Sequence, residues 1–510
     1  MKKVFVLFPI DLYDDTTYIT GTKVFLVEED IYFNRSDRSL GSMRFNILKP
    51  IYHRASMRSY YDKLKSKGIN CTYIEYNDDW ISQVKRYIKD NDSFVQFFDP
   101  VDRTLEKKLN KNFDQYDIIN TPRFILTNEE LETYDGPVRQ TSFYVWNRKI
   151  KNILIDKSSS SGFGGKMTYD TENRSRPYQG IEDDVQDDPT YDNNEYLKEA
   201  RRYVKKKFDL KDFRIWGEDD FSSIRVKFPI DTAGARSRLK YFIKNNIDYF
   251  GNYQDVFLNN KEKLLLFHSG LSPMINIGLL TPEEVIDAVI DYFNKSSNKK
   301  KIIHNVEGFV RQILGWREFC RYVYHSHSDK YTGMNFFDSN ENLSKDWYDA
   351  TTGVSPVDTC IEKAFRYGYL HHIERLMVVC NFMTITHVKP SQMYKWFMEF
   401  SLDSYDWVME FNVYCMGSYS DGGTFTTKPY ISSSQYLLKM SDYSRYNKIS
   451  NDTDDSDDSD VLKDIATVRS WADEWDQLFW KFIKKHKNKI KKIGRLANLV
   501  KYIKQNLKGR

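Results

Sequence analysis

The first 150 residues alternate short apolar runs with amphipathic stretches, and this alternation constrains the fold more than any other feature. Five runs, at 4–8, 24–27, 72–76, 94–98 and 124–127, have the continuous apolar character of strands buried on both faces. The segments 51–67 and 80–89 between them have the apolar spacing of helices. Strands that alternate with helices predict a doubly wound α/β domain over residues 1–150, with any ligand at the carboxyl ends of the strands.

A change of composition separates this region from the rest of the chain. Residues 151–193 are a predicted linker, because from Ser158 onward Ser, Gly, Asp and Asn dominate. Strand-like alternation then nearly disappears, so residues 194–510 are predicted to be mainly α-helical. Thr281, Pro282 and Glu284 give the clearest helix start, with a capping threonine, proline at the first position and a capping-box glutamate. A second long helix is predicted over 305–324 from its apolar stripe.

Length, hydropathy and cysteine usage limit the class of protein. The 510 residues are enough for two or three domains. No run of eighteen apolar residues occurs, and the run at 4–8 is too short for a signal-peptide core. Five scattered cysteines without a CxxC pair argue against a disulfide framework or a zinc ribbon. We expect a soluble, intracellular protein with no membrane partner; the AT-like composition would also suit a viral genome.

Charge is unevenly distributed although the net charge is only +4. Residues 482–510 contain eleven Lys or Arg and no acid, and they follow an Asp-rich run at 451–460. The acidic run is predicted to be a solvated loop. The basic C-terminal helices are predicted to contact phosphate, although a basic helix can also be only a solvated face.

Two apparent ligand motifs do not hold. The segment 161–166 resembles a phosphate loop, but Ser160 stands where that motif needs glycine and Met167 where it needs Ser or Thr. His371 and His372 suggest a metal site. Neighbouring helical side chains point roughly 100° apart, however, and no carboxylate or thiol has a usual ligand spacing, so we predict no metal. Two roles remain open for this pair: one imidazole acts as a general acid or base, or both side chains only pack in the core.

The stretch 268–281 is a turn rich in small hydroxyl residues that leads into the capped helix at Pro282. Its backbone N–H groups and hydroxyls could hold a pyrophosphate. It could equally be a simple loop between helices.

Taken together and in order, several segments resemble the cryptochrome/photolyase superfamily, and in particular its photolyase-related branch of iron–sulfur bacterial cryptochromes and (6-4) photolyases. The segments are 53–58, 164–174, 250–255, 268–282, 306–318, 369–381, 406–414, 421–423 and 428–432. The resemblance implies an α/β Rossmann-like antenna domain followed by a mainly α-helical domain that binds FAD in a U shape, opposite a basic groove for UV-damaged DNA. It also implies a possible second antenna chromophore of the ribityllumazine type.

The resemblance also assigns roles to individual positions. It implies a cradle for the diphosphate, a lining for the cofactor cavity and an ion pair between Arg375 and Asp421 beside the flavin ring. The residues expected to form these features are Tyr253, His268, Ser269, Leu271, Ser272, Gln312, Trp316, Arg317, Arg375, Asn381 and Asp421. His371 and His372 fall where the (6-4) enzymes keep proton-donating histidines. Trp396 and Trp347 fall on the route of electrons to the flavin. The basic residues expected to contact DNA are Lys428, Lys484, Lys485, Lys491 and Lys492.

One departure from this branch concerns its iron–sulfur cluster. Members with a cluster use four cysteines, three of them after the segment that corresponds to 439–442, whereas this chain has no cysteine after Cys415. Cys360 lies near the remaining position but about one helical turn out of register. We therefore expect no iron–sulfur cluster.

These features predict a light-driven, FAD-dependent photolyase that repairs pyrimidine dimers, in particular (6-4) photoproducts, and acts as a monomer. The first alternative is a cryptochrome-type blue-light photoreceptor without repair activity. The second is a nucleic-acid-binding relative that no longer holds FAD.

Overall fold

The computed structural model describes residues 2–37, 40–156, 161–174, 189, 191, 194–217, 221, 224–445 and 470–506. The predicted acidic loop at 451–460 and much of the predicted linker lie outside these ranges. The described strands are β1 (Lys2–Leu7), β2 (Lys23–Val27), β3 (Ser36–Asp37), β4 (Gly41–Ser42), β5 (Cys71–Ile74), β6 (Ser93–Phe98), β7 (Asp117–Ile119), β8 (Ile155–Asp156) and β9 (Ser161–Gly162).

Five of these strands form one parallel sheet in the order β5-β2-β1-β6-β7. β1 is central, and its Val4 pairs with Lys23 of β2 on one side and Val95 of β6 on the other. The side chains from Val4 to Leu7 are fully buried, as strands covered by helices on both faces require. The strand order runs outward from β1 in both directions, so the predicted doubly wound, Rossmann-like arrangement is confirmed.

The predicted strand at 124–127 is wrong. This segment is a turn, and the fifth strand is β7 instead. The backbone N–H groups of Ile125 and Leu126 donate to the buried carboxylate of Glu318 in the helical region, while Phe124 packs edge-on against Trp407 at 4.9 Å between ring centroids. A carboxylate from a distant element therefore satisfies donors that a strand would pair with its neighbour.

Helices surround the sheet and make up most of the second half of the chain. The helices of the first half are α1 (Asp30–Phe33), α2 (Leu48–Ser66), α3 (Trp80–Asn91), α4 (Arg103–Asn112), α5 (Asn128–Glu132) and α6 (Gln140–Ile150). Those of the second half are α7 (Glu195–Lys207), α8 (Thr232–Asn245), α9 (Ile247–Tyr253), α10 (Ser272–Asn276), α11 (Pro282–Lys295), α12 (Lys299–Val310), α13 (Glu318–His327), α14 (Asp346–Asp349), α15 (Ser355–Tyr367), α16 (Asn381–Ile385), α17 (Pro390–Phe400), α18 (Asp406–Glu410), α19 (Ser434–Met440), α20 (Trp471–Lys485), α21 (Lys487–Ile490) and α22 (Ala497–Asn506).

Two sequence signals in this half have different outcomes. The predicted cap of α11 is confirmed, because the Thr281 hydroxyl accepts a hydrogen bond from the Glu284 N–H. The helix predicted over 305–324 is broken into α12, a π-helical segment π1 (Arg311–Arg317) and α13. Within the described ranges, no helix combines the length and apolarity needed to cross a membrane.

Three π-helical segments interrupt helices of this half: π1, π2 (Glu374–Cys380) and π3 (Phe411–Gly417). The residue after each segment donates its N–H five residues back: Glu318 to Ile313, Asn381 to Leu376, and Ser418 to Val413. Such segments rotate the following side chains relative to an α-helix and are frequent at functional sites. Periodicity in the sequence does not report them.

A buried group of charges joins the sheet to the helices. Arg35, which follows α1, forms a two-pronged pair with Asp406 of α18 at 2.7 and 2.8 Å. Asp102 lies close to this pair, and burial and the charge of Asp406 raise its pKa to about 6. Glu410, one turn after Asp406, accepts a hydrogen bond from the Tyr331 hydroxyl at 3.4 Å. Burial and the charge of Asp406 raise the pKa of Glu410 to about 8.

Replacing Glu410 with Gln is expected to make stability less dependent on pH. The folded pKa of about 8 lies above the ordinary value near 4.5, so the folded protein holds this proton more tightly, and the free energy of unfolding falls as pH rises from about 4.5 to 8. One such group contributes at most about 1.4 kcal/mol per pH unit. Urea unfolding at pH 5.5, 6.5 and 7.5 should give a shallower decline for Glu410→Gln, while Glu283→Gln, at an exposed position of α11, keeps the wild-type slope. Equal slopes in all three proteins would contradict the prediction.

Candidate functional site

Three histidines from two distant segments meet in the helical region. The His268 ring stacks on His371 with a centroid separation of 4.4 Å and an interplanar angle of 11°, and it meets the edge of His372 at 5.0 Å. His268 and His371 are buried, whereas 48% of the His372 side chain is exposed. The fold therefore brings the predicted histidine pair into direct contact with the predicted diphosphate turn.

The two buried imidazoles are held neutral. Burial lowers the pKa of His268 to about 3 and that of His371 well below its ordinary value. The two nitrogens of His268 lie 3.0 and 2.9 Å from the carbonyl oxygens of Leu265 and Gln254. Both ring nitrogens of His371 are buried and have no hydrogen-bond partner in the described part of the chain.

The stacked geometry does not favour a shared metal ion. The three histidines each offer a ring nitrogen, and these atoms lie within 4.8 Å of one another. The nitrogen lone pairs lie in the ring planes, and the planes of His268 and His371 are nearly parallel. The two lone pairs therefore cannot converge well on one ion. The absence of a metal stays a prediction.

Arg375 pairs with a carboxylate that the sequence analysis did not identify. Its guanidinium lies 3.0 Å from Asp403, so the predicted Arg375–Asp421 pair is wrong. Although burial opposes it, Arg375 together with the hydroxyls of Ser272 and Ser401 holds the pKa of Asp403 below its ordinary value. A polar run directly after the buried helix α17, Ser401 to Ser404, was the available signal for this residue.

Asp421 has a separate, local role. One of its oxygens accepts the Phe425 N–H at 2.7 Å, which closes the turn after π3. The other oxygen is buried without a hydrogen-bond partner within the described residues. Burial raises the pKa of this carboxyl above its ordinary value. The oxygen without a partner is therefore a buried acceptor that is available to a ligand.

The turn at 268–272 is supported from behind by Arg238 of α8, a second residue that sequence reasoning missed. Arg238 donates to the carbonyl oxygens of Ser269 (2.8 Å) and His268 (3.3 Å). Its Nη1 atom is buried without a partner among the described residues. Gly270 in this turn has φ +62°, and a Cβ there would lie 2.7 Å from Leu265, so the turn needs glycine. Leu271 and Tyr253 are buried beside it.

The remaining predicted cofactor residues lie on or next to the π-helical segments. Gln312 and Trp316 are half-buried in π1. Asn381 follows π2, and its side chain is bonded to Ser432 at 3.0 and 3.2 Å. Arg317 differs from the expectation, because it lies at the junction with the sheet region. Its guanidinium donates to the Arg123 carbonyl and lies 4.9 Å from the ring of Phe124 and 4.7 Å from that of Trp407.

The two predicted electron-transfer tryptophans are in contact. The rings of Trp396 and Trp347 are 6.2 Å apart, and the Trp396 indole N–H donates to the Trp347 carbonyl at 2.8 Å. Trp396 also contacts Phe400 at 4.7 Å, and Phe400 lies under the Arg375 guanidinium at 5.4 Å. A chain of aromatic rings therefore leads away from the Arg375–Asp403 pair.

The basic side chains predicted to contact DNA are accessible. Lys484, Lys485, Lys491 and Lys492 are exposed, on or next to α20 and α21, and Lys428 is half-buried above the ring of Tyr430. Two polar contacts connect the histidines with this end of the chain. His372 lies 3.9 Å from Asp255, whose other oxygen accepts the Tyr436 hydroxyl of α19, and α19 packs against α20.

Comparison with known proteins agrees with this architecture. The family model of deoxyribodipyrimidine photo-lyase-related proteins matches residues 11–212, and that of the FAD binding domain of DNA photolyase matches residues 309–500. A (6-4) photolyase of Agrobacterium fabrum is 27% identical over 87% of this chain and 84% of its own length. An uncharacterized protein of Acanthamoeba polyphaga mimivirus is 46% identical over 24% of this chain and 80% of its own length.

A solved structure supports the same fold. The Synechocystis cryptochrome matches with a TM-score of 0.54 and 15% identity, covering 96% of this chain and 90% of that one. The fold is thus that of the photolyases and cryptochromes, and residues 309–500 form a photolyase-type FAD-binding domain. The chain belongs to the photolyase–cryptochrome superfamily and, within it, to the photolyase-related branch.

Proposed function

We propose that this protein is a light-driven photolyase that repairs UV-induced pyrimidine dimers, in particular (6-4) photoproducts. The observation that carries the proposal is the His268–His371–His372 cluster, in which one imidazole is exposed and the other two are buried behind it. The resemblance to a (6-4) photolyase supports the choice of lesion.

The residues at this site fit a bound FAD. Several buried polar atoms have no partner within the described ranges: Arg238 Nη1, Gln254 Nε2, His371 Nδ1 and Nε2, and Asp421 Oδ1. Unused buried donors and acceptors are costly unless a ligand pairs with them. The turn at 268–272 with Arg238 would hold the diphosphate, and Arg375, Asn381 and Asp421 would surround the ring system. Reduced FAD would supply the electron that splits a dimer in blue or near-ultraviolet light.

The two histidines of the pair receive different roles. His372 is half-exposed and can exchange protons with solvent, so we assign to it the proton that a (6-4) product requires. His371 is buried, neutral and stacked on His268, which makes it a positioning residue. Glu374, which pairs with the buried Lys363, accepts the backbone N–H of His371, and its carboxylate lies 3.4 Å from the ring nitrogen Nε2 without hydrogen-bond geometry.

The basic C-terminal helices would hold the DNA backbone. Removal of their lysine charges tests this role. Alanine at Lys484, Lys485, Lys491 and Lys492 is expected to lower duplex affinity and to flatten the plot of log affinity against log salt concentration by about 3 to 4, since each phosphate contact contributes about 0.9. Filter binding at several salt concentrations measures the slope. A matched variant with alanine at the exposed positions Lys85, Lys89, Lys107 and Lys111 should keep the wild-type slope. Equal slopes in the two variants would contradict the proposed interface.

The electron route, the second chromophore, the iron–sulfur cluster, the oligomeric state and the cellular location are proposals as well. Trp396 and Trp347 would carry electrons from the surface. A ribityllumazine-type second chromophore is supported by the buried Tyr32 hydroxyl and His53 Nδ1, which lack partners among the described residues. A four-cysteine iron–sulfur cluster is not expected, since the chain has no cysteine after Cys415, where the branch places three of the four cluster ligands. A monomer in the cytoplasm or nucleus stays a prediction, and the mimivirus relative supports a viral setting.

The proposed function is tested with two defined oligonucleotides, one carrying a cyclobutane dimer and one a (6-4) product. Each is incubated with the reduced, flavin-loaded protein in blue light and in darkness, and the products are separated by chromatography. Light-dependent restoration of the (6-4) product is the expected result. Flavin photoreduction without repair of either lesion would contradict the proposal and favour a cryptochrome-type photoreceptor.

A further inference from the structure

A second candidate binding site lies in the sheet region, at the amino ends of the parallel strands. It is a cavity of about 420 Å³. Its walls come from the starts of four strands, from the turns that precede β2 and β5, and from the ring of Tyr87 on α3. The lining residues are Lys2, Lys3, Thr16, Thr20, Gly21, Thr22, Lys23, Lys67, Gly68, Ile69, Asn70, Tyr87 and Ser93.

Four lysines line this cavity, and none of its described lining residues is acidic. The side chains of Lys2 and Lys3 make no hydrogen bond or ion pair with any described residue, and both lysines are exposed. Lys23 donates only to the neutral side chains of Asn70, at 3.2 Å, and Thr72. Lys67 donates to the Asp14 carbonyl at 3.2 Å and to the Thr16 hydroxyl at 3.4 Å.

A nearby lysine of α2 has a different environment from the four cavity lysines. Lys63, one turn before Lys67, forms an ion pair with the Asp14 carboxylate. Within the part of the chain that the structure describes, none of the four cavity lysines has such a carboxylate partner, although the chain has nearly as many acids as bases. Burial and the charge of Lys65 lower the pKa of Lys23, with Cys71 opposing. Like charges that line one cavity without a counter-ion repel one another, and a bound anion would relieve this repulsion.

We propose that this cavity binds a small phosphorylated molecule, of the size of a diphosphate or a nucleotide, whose phosphate oxygens accept hydrogen bonds from Lys2, Lys3, Lys23 and Lys67. Its volume lies in the range of small-ligand pockets, about 300 to 1,000 Å³. Charge-assisted hydrogen bonds from ammonium groups to phosphate are among the strong ones in proteins. The cavity is bounded by Tyr87 and two turns, which suits a free phosphate compound better than a continuous nucleic-acid backbone.

The site is independent of the flavin and of any chromophore at the other edge of the sheet. Ligands of doubly wound sheets usually lie at the carboxyl ends of the strands. This cavity is at the opposite ends. Its ligand would therefore be an additional one, and binding there does not depend on repair activity.

Isothermal titration calorimetry of the full-length protein with inorganic pyrophosphate tests the proposal, with inorganic phosphate and ADP as further probes. We expect one saturable site, about tenfold weaker binding in Lys23→Gln, and loss of binding in the charge reversal Lys3→Glu. Lys3 is an exposed residue at the start of β1, so Lys3→Glu remains informative if Lys23→Gln folds poorly. Comparing the three probes separates recognition of a single phosphate from that of a diphosphate or a nucleotide.

The matched control is Lys107→Gln, which removes one exposed charge from α4 of the same region and should leave pyrophosphate affinity unchanged. The proposal is overturned by the absence of saturable binding, by equal losses in Lys107→Gln and the cavity variants, or by wild-type affinity in both cavity variants. It is also overturned if a DNA duplex binds the same lysines more tightly than any of the small phosphates.

Discussion

Replacing Asp403 with Asn is expected to destabilise the protein and to release its flavin. The change leaves the guanidinium of Arg375 in a buried site without its counter-charge at 3.0 Å. Breaking a buried pair by removing one partner costs about 3–5 kcal/mol. Because Asp403 also accepts hydrogen bonds from Ser272 and Ser401, the substitution disturbs the end of the 268–272 turn as well.

Two measurements check this prediction. The ratio of flavin to protein absorbance after purification should fall, because the dissociation constant of FAD should rise at least about tenfold, which corresponds to about 1.4 kcal/mol of binding free energy. The urea midpoint of unfolding should fall as well. The matched variant for the measurement of stability is Asp421→Asn, which leaves the Arg375–Asp403 pair intact and should lower the free energy of unfolding by no more than about 1.5 kcal/mol, the contribution of one hydrogen bond to a backbone N–H. A larger loss of stability in Asp421→Asn than in Asp403→Asn would contradict the prediction and would favour the Arg375–Asp421 pair that the resemblance implied.

Replacing His372 with Ala is expected to abolish most repair of the (6-4) product without loss of flavin. Nearly half of the side chain is exposed, so its removal leaves the core unchanged. General acid catalysis contributes about 100- to 10,000-fold to a rate, so the repair yield per absorbed photon should fall at least about a hundredfold. Chromatographic analysis of the irradiated oligonucleotide gives this yield, and the absorbance of bound flavin is measured in the same samples.

The control for this experiment is His325→Ala, which removes an exposed imidazole at the end of α13. It should repair at the wild-type rate. His371→Ala should behave differently from both, because it also removes the ring stacked on His268 and should weaken flavin retention. Wild-type repair by His372→Ala would show that this imidazole does not supply the proton.

The candidate site could be predicted from the sequence only in part. The motifs placed His268, His371, His372, Arg375 and the two tryptophans in one region, and the structure brings these residues together. Asp403 was missed although serines flank it directly after α17, and Arg238 was missed because it lies in a helical segment without a distinctive local pattern. The partner of Arg375 depends on which of several carboxylates the folded helices bring within reach, and spacing along the chain does not contain this information.

The sequence by itself determined the features that depend on near neighbours. The apolar runs at 4–8, 24–27, 72–76 and 94–98 predicted four of the five strands of the parallel sheet, and Thr281 predicted the start of α11, since strand burial and helix capping act over a few residues. Tertiary structure decided the rest. The apolar segment at 124–127 became a turn because Glu318 from a distant helix accepts its backbone N–H groups, and Arg375 pairs with Asp403 because packing brings them together. Both outcomes follow from one physical cause: a buried donor or charge pairs with the nearest suitable partner in space, whatever its distance along the chain.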